Sequence, residues 1–235
     1  NLVIVAREQD ELDKTAAALG NTVEIITIAK DLFDSDNAFK VYDEVKAKGI
    51  EIDVLVNNAG HGLYGEFTET DLKKELKIIE LNISSLVVLT KLFVQDMVKR
   101  GSGKILNTSS VASKSPGPWQ SVYHGTKAFV QSFTEAIRVE VKDKGVTLTA
   151  LLPGATDTDF FRKADMESSK AVQDESKLSD PADVAKDGYE ALMAGKDMVI
   201  SGFKNKLGVA MNNLSSDEKN AEKTEKKQEP VDSDE

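Results

Sequence analysis

The 235-residue sequence contains no cysteine and only two histidines, His61 and His124. Without cysteine the chain can form neither disulfide bonds nor thiolate metal sites. Neither histidine belongs to a cluster of His, Asp and Glu with ligand spacing, so we expect no metal. No apolar run approaches the roughly 18 residues that a membrane-spanning helix needs. We therefore predict a globular protein with no membrane partner.

Positive charge is scarce relative to negative charge. The 40 acidic residues outnumber the 30 lysines and arginines, which gives a formal net charge of −10. Because contact with a phosphate backbone requires a basic surface, this balance argues against a nucleic-acid partner. The length suits one domain with a sizeable core. We recognise no targeting segment and expect a cytoplasmic protein.

Residues 215–235 differ in composition from the rest of the chain. They contain eight acids and four lysines, and their only apolar residues are Ala221 and Val231. Such a segment cannot bury enough apolar surface to offset the entropy lost on folding. We predict a disordered charged tail over 215–235 and a folded domain over 1–214.

Short apolar runs alternate with helical patterns along that domain. Strands are predicted at 2–6, 22–29, 53–57, 104–109, 146–152 and 197–201, and helices at 8–19, 35–48, 70–100, 119–143, from Pro181 onward and at 203–214. Continuously apolar strands separated by helices indicate an α/β fold, with a parallel sheet covered on both faces.

The predicted helix over 70–100 is apolar on more than one face. Such a helix is covered on more than one side, and we expect the sheet on one side and another subunit on the other. A homodimer or homotetramer formed through this helix and the 119–143 helix is therefore expected. Burial wholly within one chain is the alternative.

Small and polar residues follow three of the predicted strands. Ligands of parallel α/β sheets bind beyond the carboxyl ends of the strands, so these residues predict one common site. The segments are Asn57-Asn58-Ala59-Gly60, Ser109-Ser110, and Pro153-Gly154 with Thr156 and Thr158.

Tyr123 and Lys127 lie four residues apart in the helix between the last two of these segments. At that spacing the two side chains rise from the same helix face. An ammonium beside a phenol stabilises the phenolate, so Lys127 is expected to lower the pKa of Tyr123. The pair predicts a tyrosine acid/base, and an accidental surface pair is the alternative.

Together these motifs resemble the short-chain dehydrogenase/reductase family in its compact single-domain form. The matching features, which cover about residues 2–214, are Asn57 to Gly60, Asn82 in the long helix, Ser110 thirteen residues before Tyr123, Tyr123-x-x-x-Lys127, and Pro153-Gly154 with Thr158. The resemblance implies a Rossmann-type doubly wound parallel sheet. It also implies an oxidoreductase that transfers hydride between a nicotinamide and a carbonyl or alcohol substrate.

The resemblance also implies roles for individual residues. Tyr123 would be the general acid in reduction and the base in oxidation, and Lys127 would bind the nicotinamide ribose. Ser110 would donate a hydrogen bond to the substrate carbonyl. Asn82 resembles the residue that holds a water in the proton relay, and a polar interruption at a helix bend is its alternative. The implied cofactor contacts are Asn58, Ala59, Gly60, Tyr123, Lys127, Pro153, Gly154, Thr156 and Thr158.

The end of the first predicted strand bears on which nicotinamide is bound. That strand ends in Ala6-Arg7, with no acid to bind a ribose 2′-hydroxyl. A guanidinium suits a 2′-phosphate, so we expect NADP(H) rather than NAD(H). Pairing of Arg7 with an acid that follows it is the alternative. Asp31-Leu32 resembles the family's adenine contact, and Asp31 could equally be a helix cap.

The region from 157 to 179 resembles the family's substrate lid, which closes over the bound substrate. Phe160, Phe161 and Met166 would give this lid an apolar underside. The resemblance therefore implies a carbonyl substrate with apolar parts.

One family feature is missing from the sequence. The glycine-rich turn that holds the pyrophosphate would lie between a first strand and a first helix, and the chain starts at the equivalent of the second strand. We therefore expect an N-terminally truncated chain whose sheet is interrupted in the middle. Such a chain is expected to bind NADP(H) weakly or to misfold by itself.

Two other functions remain open. The first is a non-catalytic sensor or scaffold that uses the dinucleotide-binding fold. The second is a sugar-nucleotide epimerase or dehydratase, since these relatives share the Tyr–Lys pair. The second requires a larger C-terminal substrate domain than 235 residues allow.

Overall fold

The computed structural model describes residues 1–20 and 22–231. The strands are β1 (Leu2–Ala6), β2 (Ile25–Ala29), β3 (Val54–Asn57), β4 (Gly103–Thr108), β5 (Val146–Leu152) and β6 (Met198–Ile200). The helices are α1 (Gln9–Leu19), α2 (Asp36–Ala47), α3 (Leu72–Ile79), α4 (Leu86–Arg100), α5 (Ser121–Val141), α6 (Phe160–Lys163), α7 (Pro181–Met193), α8 (Phe203–Asn212) and α9 (Asp217–Gln228). Their order confirms the α/β alternation that the sequence predicts.

The described strands form two separate parallel sheets. One consists of β1 and β2, and the other has the order β3-β4-β5-β6. The sheet is therefore interrupted between β1 and β3, as expected. Val54 and Val56 of β3 are 39% and 52% exposed, although strands of a parallel sheet are normally buried on both faces.

Helices α2 and α4 connect the two sheets in place of strand pairing. Ile28 of β2 belongs to the same buried cluster as Val41 of α2 and Phe93 of α4, and Leu55 of β3 packs against that cluster. A second cluster joins α4 and α5 to β4 and β5, and a third places α7 on β4 and β5. Apolar packing by these helices thus holds β1 and β2 beside the larger sheet.

A π-helical turn, Glu80–Ser85, joins α3 to α4. The continuous helix Leu72–Arg100 is long and apolar enough to cross a membrane by length and composition, which differs from the sequence-based expectation. Half of its apolar window is buried inside the protein. Helices α2 and α5 and the larger sheet cover it.

The prediction of a disordered tail is wrong for the described part of 215–235. Ser216 caps α9 by accepting a hydrogen bond from the Lys219 amide at 3.4 Å. After the helix, the Val231 amide donates to the Ser168 carbonyl at 2.8 Å. Polar capping and backbone pairing thus replace the apolar burial that the segment lacks. Residues 232–235 lie outside the described part of the chain.

Candidate active site

The carboxyl ends of β3, β4 and β5 border a cleft of about 2370 Å³. The cleft continues from the interruption between the sheets to the region under residues 156–172. Eleven of the predicted site residues line it: Leu32, Asn58, Ala59, Gly60, Ser110, Tyr123, Lys127, Pro153, Gly154, Thr156 and Thr158. The structure thus brings the three predicted strand-exit segments together.

A buried row of polar side chains fixes these strand ends. The Asn57 Nδ2 atom donates to Thr90 Oγ1 at 3.0 Å and to Asn107 Oδ1 at 2.9 Å. The Asn107 Nδ2 atom donates to Thr134 Oγ1 at 3.0 Å. The row ties α4, β3, β4 and α5 together directly below the cleft. The sequence patterns do not predict this row, although Asn107 within the apolar run of β4 is a signal of a buried polar contact.

Tyr123 lies in the first turn of α5, with its phenol facing Ser110. The Ser110 hydroxyl accepts a hydrogen bond from the Ala112 amide at 3.1 Å. The Phe160 ring packs on Tyr123 with the centroids 5.3 Å apart. Burial raises the pKa of Tyr123 to about 12, and a side-chain hydrogen bond with Ser110 opposes that rise. The predicted lowering of this pKa is therefore wrong for the ligand-free protein, because desolvation dominates.

Lys127 is buried, with 4% of its surface exposed. Its Nζ atom donates to the Thr108 carbonyl at 2.9 Å and lies 5.7 Å from the centroid of the Tyr123 ring. Burial lowers the pKa of Lys127 to about 8. The ammonium thus lies beside the phenol, as predicted, but its hydrogen bond goes to the end of β4.

Asn82 lies in the π-helical turn and fixes the loop after β3. Its Oδ1 atom accepts from the His61 amide at 2.9 Å, and its Nδ2 atom donates to the His61 carbonyl at 2.9 Å. Nδ2 also donates to Thr126 Oγ1 at 3.0 Å. A Cβ atom on Gly60 would lie 3.2 Å from Lys127 Nζ, so the absence of a side chain at Gly60 allows this close approach.

Arg7 and Asp31 lie near the interruption between the sheets. The Arg7 guanidinium stacks 5.4 Å from the centroid of the Phe33 ring. Among the described residues, it forms no ion pair with Glu8, Asp10 or Glu11. The Asp31 carboxylate accepts a hydrogen bond from the Phe33 amide at 3.0 Å, which is a local turn contact.

The loop after β5 uses its hydroxyl groups locally. Thr156 Oγ1 donates to the Gly154 carbonyl at 3.0 Å, and Thr158 Oγ1 accepts from the Phe160 amide at 3.3 Å. The Pro153 carbonyl accepts from the Val111 amide at 2.9 Å. These bonds hold the β5 loop against the Ser110 segment.

The cleft residues fit a nicotinamide dinucleotide at two of its three parts. Next to Tyr123, a buried ammonium has one hydrogen-bond acceptor within the described residues, which leaves two N–H groups for a ribose. Arg7 directly follows Ala6, which lines the cleft, and its guanidinium is of a kind that suits a phosphate. For the pyrophosphate, the described residues provide no glycine-rich turn at a helix N-terminus.

A Rossmann-type fold that presents serine, tyrosine and lysine at its strand ends defines the class of dinucleotide-binding oxidoreductases. The family model described as short chain dehydrogenase matches residues 1–169. The chain therefore belongs to the short-chain dehydrogenase/reductase family of oxidoreductases.

Several curated proteins are similar to this chain. The very-long-chain 3-oxoacyl-CoA reductase of Bos taurus is 38% identical over 160 residues, which cover 65% of this chain and 50% of that protein. The dehydrogenase/reductase SDR family member 7B of Danio rerio is 31% identical over 214 residues, which cover 86% of this chain and 69% of that protein. The chain thus spans about half the length of the very-long-chain reductases that it matches.

Solved structures with the same fold are also similar to it. A short-chain dehydrogenase from Sphingobium yanoikuyae in complex with NADPH has a TM-score of 0.79 and 25% identity, covering 91% of this chain and 84% of that one. A short-chain dehydrogenase from Streptomyces avermitilis has a TM-score of 0.77 and 26% identity, covering 90% and 82%. These structures share the fold with this chain.

Proposed function

We propose that this protein is an NADP(H)-dependent oxidoreductase that interconverts a carbonyl compound and its alcohol, with Tyr123 as the general acid and base. The observation that carries the proposal is the convergence of Ser110, Tyr123 and Lys127 on one cleft at the strand ends. Bound NADPH would supply the hydride that the carbonyl carbon accepts, and would leave as NADP⁺.

Tyr123 supplies the proton in the reductive direction. The phenolic O–H bond breaks and its proton bonds to the carbonyl oxygen, so that C=O becomes CH–OH. A pKa of about 12 keeps the phenol protonated at neutral pH. An alkoxide-like oxygen is more basic than this phenolate, so the proton moves toward the substrate. Ser110 donates a hydrogen bond to the same oxygen as charge develops on it.

Lys127 and Asn82 assist the proton transfer from Tyr123. The ammonium of Lys127 stabilises the phenolate that remains after proton transfer, and its free N–H groups bind the ribose. Asn82 holds the Gly60-His61 loop through two hydrogen bonds to the His61 backbone. We assign Asn82 a positioning role, together with the predicted place in the proton relay.

Replacement of Tyr123 by phenylalanine tests the chemistry. Tyr123→Phe removes one hydroxyl and should lower NADPH-dependent turnover of aldehydes and ketones by about 10² to 10⁴, the usual contribution of a general acid. NADPH binding should persist in this variant. Loss of turnover with retained binding distinguishes an enzyme from a dinucleotide sensor, which has no turnover to lose. Tyr42→Phe, which removes a hydroxyl bonded to Asp96, is the control. Unchanged turnover in Tyr123→Phe would exclude the mechanism.

The preference for NADP(H) rests on the Arg7 guanidinium at the end of β1. It is exposed, stacked on Phe33, and directly follows Ala6, which lines the cleft. Arg7→Glu should lower the ratio of kcat/KM with NADPH to that with NADH by at least about tenfold, because a carboxylate repels a 2′-phosphate and binds a 2′-hydroxyl. Lys14→Glu makes the same charge change on the exposed face of α1 and should leave the ratio unaltered. An unaltered ratio in Arg7→Glu would refute the assignment.

The substrate proposal rests on the apolar cluster above Tyr123. Tyr64, Ala164 and Met166 are buried there, with Trp119, Phe160 and Phe161 packed against them. We propose a carbonyl substrate with an apolar portion. Similar proteins include reductases named for substrates as different as very-long-chain 3-oxoacyl-CoA and sulfoacetaldehyde. In a series of aldehydes or ketones of increasing alkyl chain length, kcat/KM should rise with the size of the apolar portion, because that portion packs against this cluster.

We also propose that the protein forms a dimer or tetramer through α3 and α5. Leu76 of α3 and Val139 of α5 are 54% and 65% exposed, whereas the large apolar side chains of α4 are buried or half-buried. Each helix therefore leaves an apolar face uncovered within one chain. Light scattering after chromatography should show a smaller species for Val139→Glu. A monomeric parent protein would contradict the proposal.

A further inference from the structure

The C-terminal helix α9 ends against the roof of the cleft and places Gln228 there. The Tyr64 hydroxyl and Ser169 Oγ both donate to the Gln228 carbonyl, the latter at 2.9 Å. The Lys170 amide donates to the Glu229 carbonyl at 3.1 Å. The end of α9 is thus fixed by bonds to its terminal carbonyls. This helix lies outside residues 1–169, to which the family model extends.

Gln228 joins Gln120 and His124 in a buried polar group whose donors and acceptors can be assigned. His124 Nδ1 lies 2.8 Å from the Ser115 carbonyl, which can only accept, so Nδ1 carries the proton and Nε2 is an acceptor. Gln228 Nε2 lies 3.4 Å from His124 Nε2 and from Gln120 Oε1, and therefore faces both as a donor. The side-chain atoms Gln228 Oε1 and Gln120 Nε2 consequently take no part in these contacts.

Within the described residues, these two side-chain atoms lack hydrogen-bond partners. Gln120 is 5% exposed and Gln228 is 9% exposed. Within the described residues, Gln120 Nε2 and Gln228 Oε1 are buried and have no hydrogen bond. Unpaired buried polar groups are rare in folded proteins because each forfeits its hydration, and such atoms are commonly satisfied by a ligand or a water.

The unpaired atoms belong to the same wall of the cleft as the proposed acid. Gln120 begins α5 one turn before His124, and both glutamines line the cleft with Tyr123. A Cβ atom on Gly62 would lie 3.5 Å from Gln120 Nε2 and 2.9 Å from the Phe160 ring. The Phe160 ring in turn packs on Tyr123 at 5.3 Å. The Gln120 amino group and the Tyr123 ring therefore both lie beside the Phe160 ring.

We propose that Gln120 and Gln228 recognise a neutral substrate group that both accepts and donates hydrogen bonds, an amide or a hydroxyl, beside the carbonyl that Tyr123 protonates. The Gln120 side-chain Nε2 atom donates to this group, and the Gln228 side-chain Oε1 atom accepts from it. A carboxylate satisfies only the first partner, and a purely apolar group satisfies neither. The inference rests on the proposed carbonyl reduction and narrows its substrate class to hydroxy- or amide-bearing carbonyl compounds.

Matched substrate pairs test the recognition. N-benzylacetoacetamide is compared with benzyl acetoacetate, which lacks the N–H donor, and α-hydroxyacetophenone is compared with acetophenone. For at least one of the two pairs, the wild type should show at least about tenfold higher kcat/KM for the donor-bearing compound. The donor-free analogue leaves a buried acceptor unpaired. Gln228→Met should reduce that preference to within about twofold.

Two further variants keep the test decisive if Gln228→Met displaces α9. Gln120→Met removes the partner donor from α5 and should also weaken the preference, without touching the C-terminal helix. Gln95→Met makes the same change at an exposed position of α4 and should preserve it. Equal rates for both members of both pairs in the wild type, or a preference that survives both Gln120→Met and Gln228→Met, would overturn the proposal.

A binding measurement separates this inference from the proposed function. Trp119 is the single tryptophan and stacks on Tyr64, 5.6 Å between centroids, so its fluorescence reports on the roof of the cleft. Titrations with the same pairs use Tyr123→Phe, in which hydride transfer is expected to be lost. Tighter binding of the donor-bearing compound together with an inert wild type would sustain the recognition and refute the reductase. Turnover by the wild type without any preference for the donor-bearing compound would sustain the reductase and refute the recognition.

Discussion

Replacing the buried Lys127 with methionine should reveal what the protein forfeits in stability to keep an ammonium beside Tyr123. Burial lowers the pKa of Lys127 from 10.5 to about 8. At about 1.4 kcal/mol per pKa unit, holding this charge in the folded state costs about 3 kcal/mol near neutral pH. Methionine avoids that cost but leaves the Thr108 carbonyl without its partner, which costs about 1 to 3 kcal/mol. The net expectation at pH 7 is a variant between equal in stability and about 2 kcal/mol more stable.

The sign of the pH dependence follows from proton binding. Between pH 8 and 10.5 the unfolded chain keeps the Lys127 proton that the folded protein has released. The unfolded state therefore binds more protons there, and the folded wild type gains stability as the pH rises. Between pH 7 and 9.5 this gain amounts to about 2 kcal/mol relative to Lys127→Met, since groups common to both proteins cancel.

Urea unfolding of both proteins at pH 7, 8 and 9.5 measures this difference. Lys91→Met makes the same substitution at an exposed position of α4 and should show no such dependence on pH. A difference in unfolding free energy between wild type and Lys127→Met that stays constant over this range would refute the reasoning. It would mean that the folded protein does not perturb the ammonium.

Three further predictions concern the site and its support. NADPH affinity, measured by fluorescence titration, should fall by up to about tenfold per pH unit above pH 8. Lys127, with a pKa of about 8, then loses the proton that it offers to the ribose. An affinity that does not change with pH would contradict this. Asn82→Ala leaves two backbone groups of the β3 loop unpaired and should lower the unfolding free energy by about 1 to 3 kcal/mol and weaken cofactor binding; wild-type values for both would remove the positioning role. Gly117→Ala places a Cβ atom 2.2 Å from the buried ring of His124 and should destabilise by about 1 to 3 kcal/mol in a thermal or urea melt, whereas Gly125→Ala meets no atom within 4 Å and should not.

The sequence by itself determined the α/β order and which residues are candidates for the site. Both follow from short-range patterns: apolar strand runs, helical periodicity, and the four-residue spacing of Tyr123 and Lys127. The strand exits could be placed together because parallel strands end at one edge of a sheet. These signals depend on local chain geometry, which the sequence carries directly.

Only the tertiary structure decided the electrostatics of the site. The spacing of Tyr123 and Lys127 predicts a lowered phenol pKa, but burial of both side chains raises the one and lowers the other. Desolvation depends on which elements surround a group, and here Phe160 and the β4 loop come from distant parts of the sequence. No local pattern contains that information.

The C-terminal helix shows the same limit. Its composition alone predicts disorder, because it has almost no apolar side chain to bury. It is ordered through polar contacts with Tyr64 and Ser169, which lie 164 and 59 residues from Gln228 along the chain. Hydrogen bonds over such separations exist only once the domain has folded, and they alone bring Gln228 to the cleft.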